Sequence, residues 1–182
     1  SRLVLQASPW RAAATAAALP LHALHDENGG IVFGCGTHAL RLAVDGERDD
    51  AWRRMQLQLG WPWLPDSALD ALLPPALSLH RLHAVAIDKG CYPGQEIVAR
   101  MHWRGSHKRH LCNVRLTRSA TPGDILRRDG NEVGTLLDAI EDDNRIDALA
   151  VLDDDIASTS TENTLLQLDD DLALSIRHRW EN

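Results

Sequence analysis

The chain has 182 residues, 44% of them hydrophobic, enough for one large or two small domains with a real core. This excludes a disordered acidic protein. A net charge of −7 speaks against a nucleic-acid binder by bulk composition, and no apolar run approaches the ~18 residues of a membrane-crossing helix.

Leu3–Leu5 reads as a strand. Ser8-Pro9 starts a helix, with Ser8 as N-cap and Pro9 at the first helical position, running through 12–18 and stopping before Pro20. Gly30–Val32 and Ala39–Val44 read as strands joined by Gly34-Cys35-Gly36. After an Asp45-Gly46 turn, Glu47–Leu59 reads as a helix with Trp52, Met55 and Leu59 at helical spacing. This order predicts a ferredoxin-like split βαβ unit, with its last strand in Leu77–Ile87. Trp61-Pro62-Trp63-Leu64-Pro65 is a rigid packed connector, or an aromatic wall for a flat ligand. Asp66–Leu73 reads as a short helix capped by Asp66 or Ser67 and ended by Pro74-Pro75.

From Leu111 the period changes to two, with Cys112, Val114 and Leu116 alternating with polar residues. Turns at Pro122-Gly123-Asp124, Asp129-Gly130-Asn131, Asp142-Asp143-Asn144 and Asp169-Asp170-Asp171 separate short strands, including Val133–Ile140, Ile146–Leu152, Thr164–Leu168 and Leu172–Ile176. Such spacing predicts a small antiparallel β-barrel. The fold class is therefore α+β, with an α+β domain over 1–109 and a barrel over 110–182.

The segment from Asp88 to Gly105 carries the chemistry. Lys89-Gly90 marks a turn, Pro93 suits a helix start and Gly105 a helix stop. Glu96 stands four residues before Arg100, the favourable order for a helical ion pair. Ile97, Val98 and Met101 form a docking face, leaving the arginine face open. Cys91 precedes the helix N-terminus and lies two residues from Lys89, both of which favour a thiolate. That suits a reactive or metal-binding sulfur; the competing reading is a small, buried, inert cysteine. Residues 80–110 carry +4, leaving −11 on the rest, so a local basic patch could hold an anion.

Lys89-Gly90-Cys91-Tyr92-x-Gly94-Gln95-Glu96 matches without substitution the signature of the YgfZ family. Arg100 and the Arg104-Gly105-x-x-Lys108-Arg109 run resemble its continuation. Leu73-Pro74-Pro75, Leu77-Ser78-Leu79 and Gly134-Thr135 resemble other family steps, most strongly over 61–109. The resemblance implies a relative of the glycine-cleavage T protein that binds tetrahydrofolate, supports iron–sulfur cluster assembly or repair, and thereby tRNA modification. It implies the same C-terminal barrel. Cys91 would be the functional thiol, supported by Lys89; Arg100 and Arg104 would hold the anionic part of folate; Tyr92, Gln95 and Glu96 would shape the site. Iron–sulfur assembly or client proteins would be transient partners. Family members extend further at the N-terminus, so the sequence, opening on Ser1, reads as the C-terminal part of a larger protein. The alternative is a folate-dependent aminomethyltransferase of the T-protein type, against which the Lys-Gly-Cys-Tyr signature speaks; an accessory factor is favoured over a turnover enzyme.

The remaining constellations read as structural. His80 and His83 would point to opposite faces of a strand. No cysteine pair has zinc-site spacing, and one cysteine cannot hold a cluster alone, so no stably bound metal is expected. Arg100, Arg104, Lys108 and Arg109 with Trp103 could stack on RNA, but a solvated helix face and loop is the preferred reading, without direct nucleic-acid contact. Asp153-Asp154-Asp155 and Asp169-Asp170-Asp171 lack calcium-loop spacing and read as surface turns. Cys35, Cys91 and Cys112 are too scattered for a disulfide framework and point to a reducing compartment, bacterial cytoplasm or mitochondrial matrix; the lysine-poor, Ala/Arg/Leu-rich composition leans to the bacterial cytoplasm.

Overall fold

The computed structural model describes residues 3–9, 20–27, 30–36, 38–44, 51–86, 89–91, 93–104, 108–142, 144–159 and 164–181. The chain divides into two compact units, Ser1–Gln56 and Leu57–Asn182. The boundary expected near Lys108–Leu111 falls inside the second unit, at the start of its sheet. No described helix is long and apolar enough to cross a membrane.

The first unit holds a four-stranded antiparallel sheet. Its strands are β1 (Leu3–Pro9), β2 (Leu24–Glu27), β3 (Gly30–Gly34) and β4 (His38–Val44), in the order β1-β4-β3-β2. Val32 and Ala39 are buried, while Ile31 and Leu24 are exposed. Gly36, at φ +80, makes the expected turn between β3 and β4. Strand β2 was not foreseen. Ser8 and Pro9, expected to start a helix, instead end strand β1, paired with Ala39 and His38; the rest of that expected helix lies outside the described residues. The helix expected from Glu47 is seen as α1 (Ala51–Leu59), which crosses the boundary between the units.

The second unit is built on a six-stranded antiparallel sheet of order β6-β7-β8-β5-β10-β9. The strands are β5 (Arg109–Leu116), β6 (Ile125–Arg128), β7 (Asn131–Asp142), β8 (Arg145–Asp153), β9 (Leu165–Gln167) and β10 (Ala173–Arg179). Register shifts at Leu126/Arg127, Leu136/Asp138 and Ile176/His178 fit a curled sheet. The small antiparallel barrel expected here is seen as a half-barrel, in which β6 and β9 remain edge strands. The inner face is filled by Cys112, Val114, Leu136, Ala150, Leu152 and Leu174. The outer face carries Leu111, Leu137, Leu149 and Val151, which pack with Leu57, Ala68, Ala76, Leu77 and Trp180. Strand β8 is therefore buried on both sides, and its run from Ala148 to Leu152 is wholly inaccessible.

Two elements differ from expectation in the connector. Asp66–Leu73 is not a helix: a single 3-10 turn spans Asp66–Ala68 with no side-chain cap, and Asp70 takes φ +61. The strand expected in Leu77–Ile87 is absent among its described residues. A 3-10 turn spans Pro74–Leu77, and Ser78 and His83 take left-handed backbone at φ +50 and +53. A strand needs extended backbone at every residue, so these two positions preclude it.

The C-terminal Trp180 fixes this connector to the sheet. Its N–H donates to the Leu111 carbonyl at 3.1 Å, and its carbonyl accepts from buried Ser78 Oγ at 3.4 Å. Gly60, at φ +62, lies so close to the indole that a Cβ would meet the ring at 2.6 Å. Arg81 stacks over the same ring, Cζ 5.1 Å from its centroid, and donates from Nη2 to the Gly60 carbonyl at 2.6 Å. Trp180→Ala is expected to destabilise this unit by about 3–5 kcal/mol, the usual cost of deleting a buried aromatic. The shift in urea midpoint at constant m-value measures it, and a change below ~1 kcal/mol would deny the indole this role.

Candidate functional site

The signature segment leads into α2 (Gln95–Arg104), which starts two residues later than the Pro93 start the sequence suggests. Pro93 and Gly94 form the turn ahead of it, with Gly94 at φ +84. This backbone is open to glycine without strain. Lys89, Gly90 and Cys91 are exposed. The helix packs against the Pro74–Leu77 turn. Its docking face is narrower than expected: Val98 is buried and Met101 half-buried, but Ile97 is 54% exposed.

The assigned residues are only partly brought together. Gln95 is half-buried, whereas Glu96 and Arg100 are exposed. No ion pair joins Glu96 to Arg100 among the described residues, so the expected helical pair does not form. Arg104 ends the helix, and Tyr92 lies outside the described residues. Trp103 stands on α2 at 75% exposure. A cavity of about 410 Å³ in the second unit lies elsewhere, between β6 and the β9–β10 turn, and none of the assigned residues lines it.

The three cysteines differ sharply. Cys112 is fully buried, and burial pushes its thiol up to about 12. Burial also raises Cys35, which is half-buried. Cys91 alone of the three is exposed.

The basic run following α2 is partly spent on internal pairs. Arg109 Nε meets Asp153 Oδ1 and its Nη2 meets Glu132 Oε1, each at 3.0 Å. His110 Nε2 lies 2.9 Å from Asp154 Oδ1. Asp154 and Asp155 open a short helix, α3 (Asp154–Thr159), where the sequence suggests a plain surface turn. A hydrogen bond from Ser158 Oγ, at 3.0 Å, holds the Asp154 carboxyl below its ordinary range, with smaller help from His110 and Arg179. Among the described residues no three His, Cys, Asp or Glu side chains gather where a metal could bind.

No protein-family model matches the chain. It is 31% identical over 135 residues to the tRNA-modifying protein YgfZ of Klebsiella pneumoniae (strain 342), covering 68% of this chain and 40% of that relative. It is 32% identical over 129 residues to the tRNA-modifying protein YgfZ of Yersinia pestis (strain Pestoides F), covering 66% and 39%. The protein of the same name in Yersinia pseudotuberculosis serotype O:1b (strain IP 31758) gives the same values. The chain thus spans about 40% of the length of the curated relatives it matches.

Two expectations can be measured directly. Iodoacetamide at mildly alkaline pH should modify Cys91 first, Cys35 more slowly and Cys112 only on unfolding; mass spectrometry of the labelled peptides gives the order, and early labelling of Cys112 would contradict it. The lowered Asp154 carboxyl stabilises the fold above its unfolded value of ~3.9, and this contribution is lost as pH falls through the lower folded value. The Tm gap between the native chain and Asp154→Asn should therefore be full near neutral pH and close in acid. A gap that widens in acid would have the wrong sign.

Proposed function

Because the chain belongs to the YgfZ family over two thirds of its length, we propose that it serves tRNA modification as a folate-binding factor supporting iron–sulfur cluster assembly or repair. Cys91 is its working thiol. The observation that carries this reading is the accessibility of Cys91, ahead of a ten-residue helix, while Cys35 and Cys112 are withdrawn. Exchange with a partner's cluster or a one-carbon adduct needs a thiolate that solvent can reach.

Tetrahydrofolate, when bound, supplies the carrier for one-carbon units. The residues present fit its charge: Arg100 is exposed and forms no ion pair among the described residues, so its guanidinium can meet a carboxylate. Arg104 would extend this positive face by one helical turn. Tyr92, Gln95 and Glu96 would shape the pocket beside Cys91. A lone cysteine holds no cluster unaided, so iron–sulfur contact requires ligands from a partner. In the first unit, β4 lies between β1 and β3, the order a split βαβ unit requires, which supports the ferredoxin-like reading there.

The test is Cys91→Ser in the full-length protein, scored by rescue of a cell with defective iron–sulfur-dependent tRNA modification. Loss of rescue is expected with folding and tetrahydrofolate binding retained. Full rescue would remove Cys91 from the mechanism. Turnover of an aminomethyl-lipoyl carrier with tetrahydrofolate by the intact protein would instead make it an aminomethyltransferase.

A further inference from the structure

Asp129 and Gly130 form the tip of the hairpin between β6 and β7. Both take left-handed backbone, at φ +52 and +78, and the Asp129 side chain is 87% exposed. In an aspartyl–glycyl pair no side chain shields the glycine nitrogen from the aspartyl carboxyl carbon, and the glycine backbone turns freely toward it. Here both amides are held by one carboxylate from across the seam. Asp129 N–H donates to Asp169 Oδ1 and Gly130 N–H to Asp169 Oδ2, each at 2.9 Å. The Asp169 N–H donates to the Arg127 carbonyl at 2.9 Å. Arg118 secures the next residue, donating from Nε at 3.1 Å and Nη2 at 2.8 Å to the Asp170 carbonyl.

We propose that Asp129–Gly130 is a site of spontaneous isoaspartate formation, and that the Asp169 carboxylate sets its rate by pinning the Gly130 nitrogen. In the reaction the Gly130 nitrogen bonds to Asp129 Cγ, its proton passes to solvent, and the carboxyl hydroxyl leaves as water. The succinimide then takes up one water. Opening at the main-chain carbonyl carbon of Asp129 yields isoaspartate; opening at Cγ restores aspartate. No atoms are gained or lost overall and nothing is oxidised or reduced. The nitrogen must leave its hydrogen bond to reach Cγ, so a carboxylate gripping both amides opposes the attack. The product carries one more main-chain methylene at the turn, which breaks the match between two amides and two oxygens. The seam bond from Asp169 to Arg127 is the next contact exposed to that mismatch.

The test follows isoaspartate at residue 129 in the 182-residue protein, aged at neutral pH, by methyltransferase labelling and fragment mass spectrometry. Peptide mapping separates this position from Asn28-Gly29 and Asp45-Gly46. Asp169→Asn leaves one oxygen where two amides donate, and should raise the rate roughly tenfold, equivalent to 1.4 kcal/mol. A synthetic peptide covering residues 125–135 should isomerise faster than the native protein by at least that factor. This comparison needs no variant to fold. Equal rates in peptide and protein, or an Asp169→Asn rate at or below the native one, would overturn the proposal.

Discussion

The packing of Trp180 across the outer face of the sheet is the constraint on which the second unit depends. The indole is third from the end of the chain, yet it contacts residues from Gly60 to Arg81. It fixes the connector that includes Pro74–Leu77, and α2 rests on that turn. The helix that follows Cys91 is thus tied to the sheet through two layers of packing. Arg81 is exposed overall, but its guanidinium end is partly withdrawn from water against the ring, and this desolvation lowers its pKa. The Gly60 carbonyl and the indole face offset that cost in one geometry. A side chain at Gly60 would remove the space that makes the geometry possible.

The half-barrel follows from the same economy of residues. Strands β7, β8 and β5 are long and buried, whereas the edge strands have four and three residues. Such edges are too short for an extended hydrogen-bonded ladder, and short edges are a common defence against pairing with other chains. One turn residue, Asp169, closes part of the gap. Its backbone reaches one edge strand and its carboxylate caps the neighbouring hairpin. A side chain that reads in sequence as one of three solvated aspartates is instead a structural bridge.

The strand alternation from Leu111 onward was legible because one face of each strand is core, and the expected turns at Pro122–Asp124, Asp129–Asn131 and Asp169–Asp171 fall at the junctions between observed strands. The closure of the barrel was not legible, since edge pairing depends on three-dimensional distance and leaves no local period. The connector misled for a related reason. Asp66–Leu73 has helical composition, and Leu77–Ile87 has the apolar content of a strand. Their backbone is set by tertiary contacts: Ser78 is buried against the Trp180 carbonyl, a partner 102 residues away. Propensity is a weak guide where such a contact decides the conformation. At the candidate site, the motif singles out Cys91, and the structure shows it to be the exposed one of the three cysteines. The docking face of α2 is narrower than expected, because Ile97 and Val98 are adjacent on the helix and point apart: Val98 is buried and Ile97 is 54% exposed.

The charge pattern carries the same lesson into chemistry. By count, residues 80–110 form a basic stretch on an acidic protein. By contact, Arg81 is committed to Gly60 and Trp180, and Arg109 to Asp153 and Glu132. A surface that tracks a nucleic-acid backbone needs several cations open to successive phosphates, each adding to the salt dependence of binding. Removing two of the six arginines and lysines from that role shortens any such track. A compact anion asks for less: one or two guanidiniums that no carboxylate already holds. Arg100 on α2 is exposed and forms no ion pair among the described residues, so its charge is not spent inside the protein as those of Arg81 and Arg109 are.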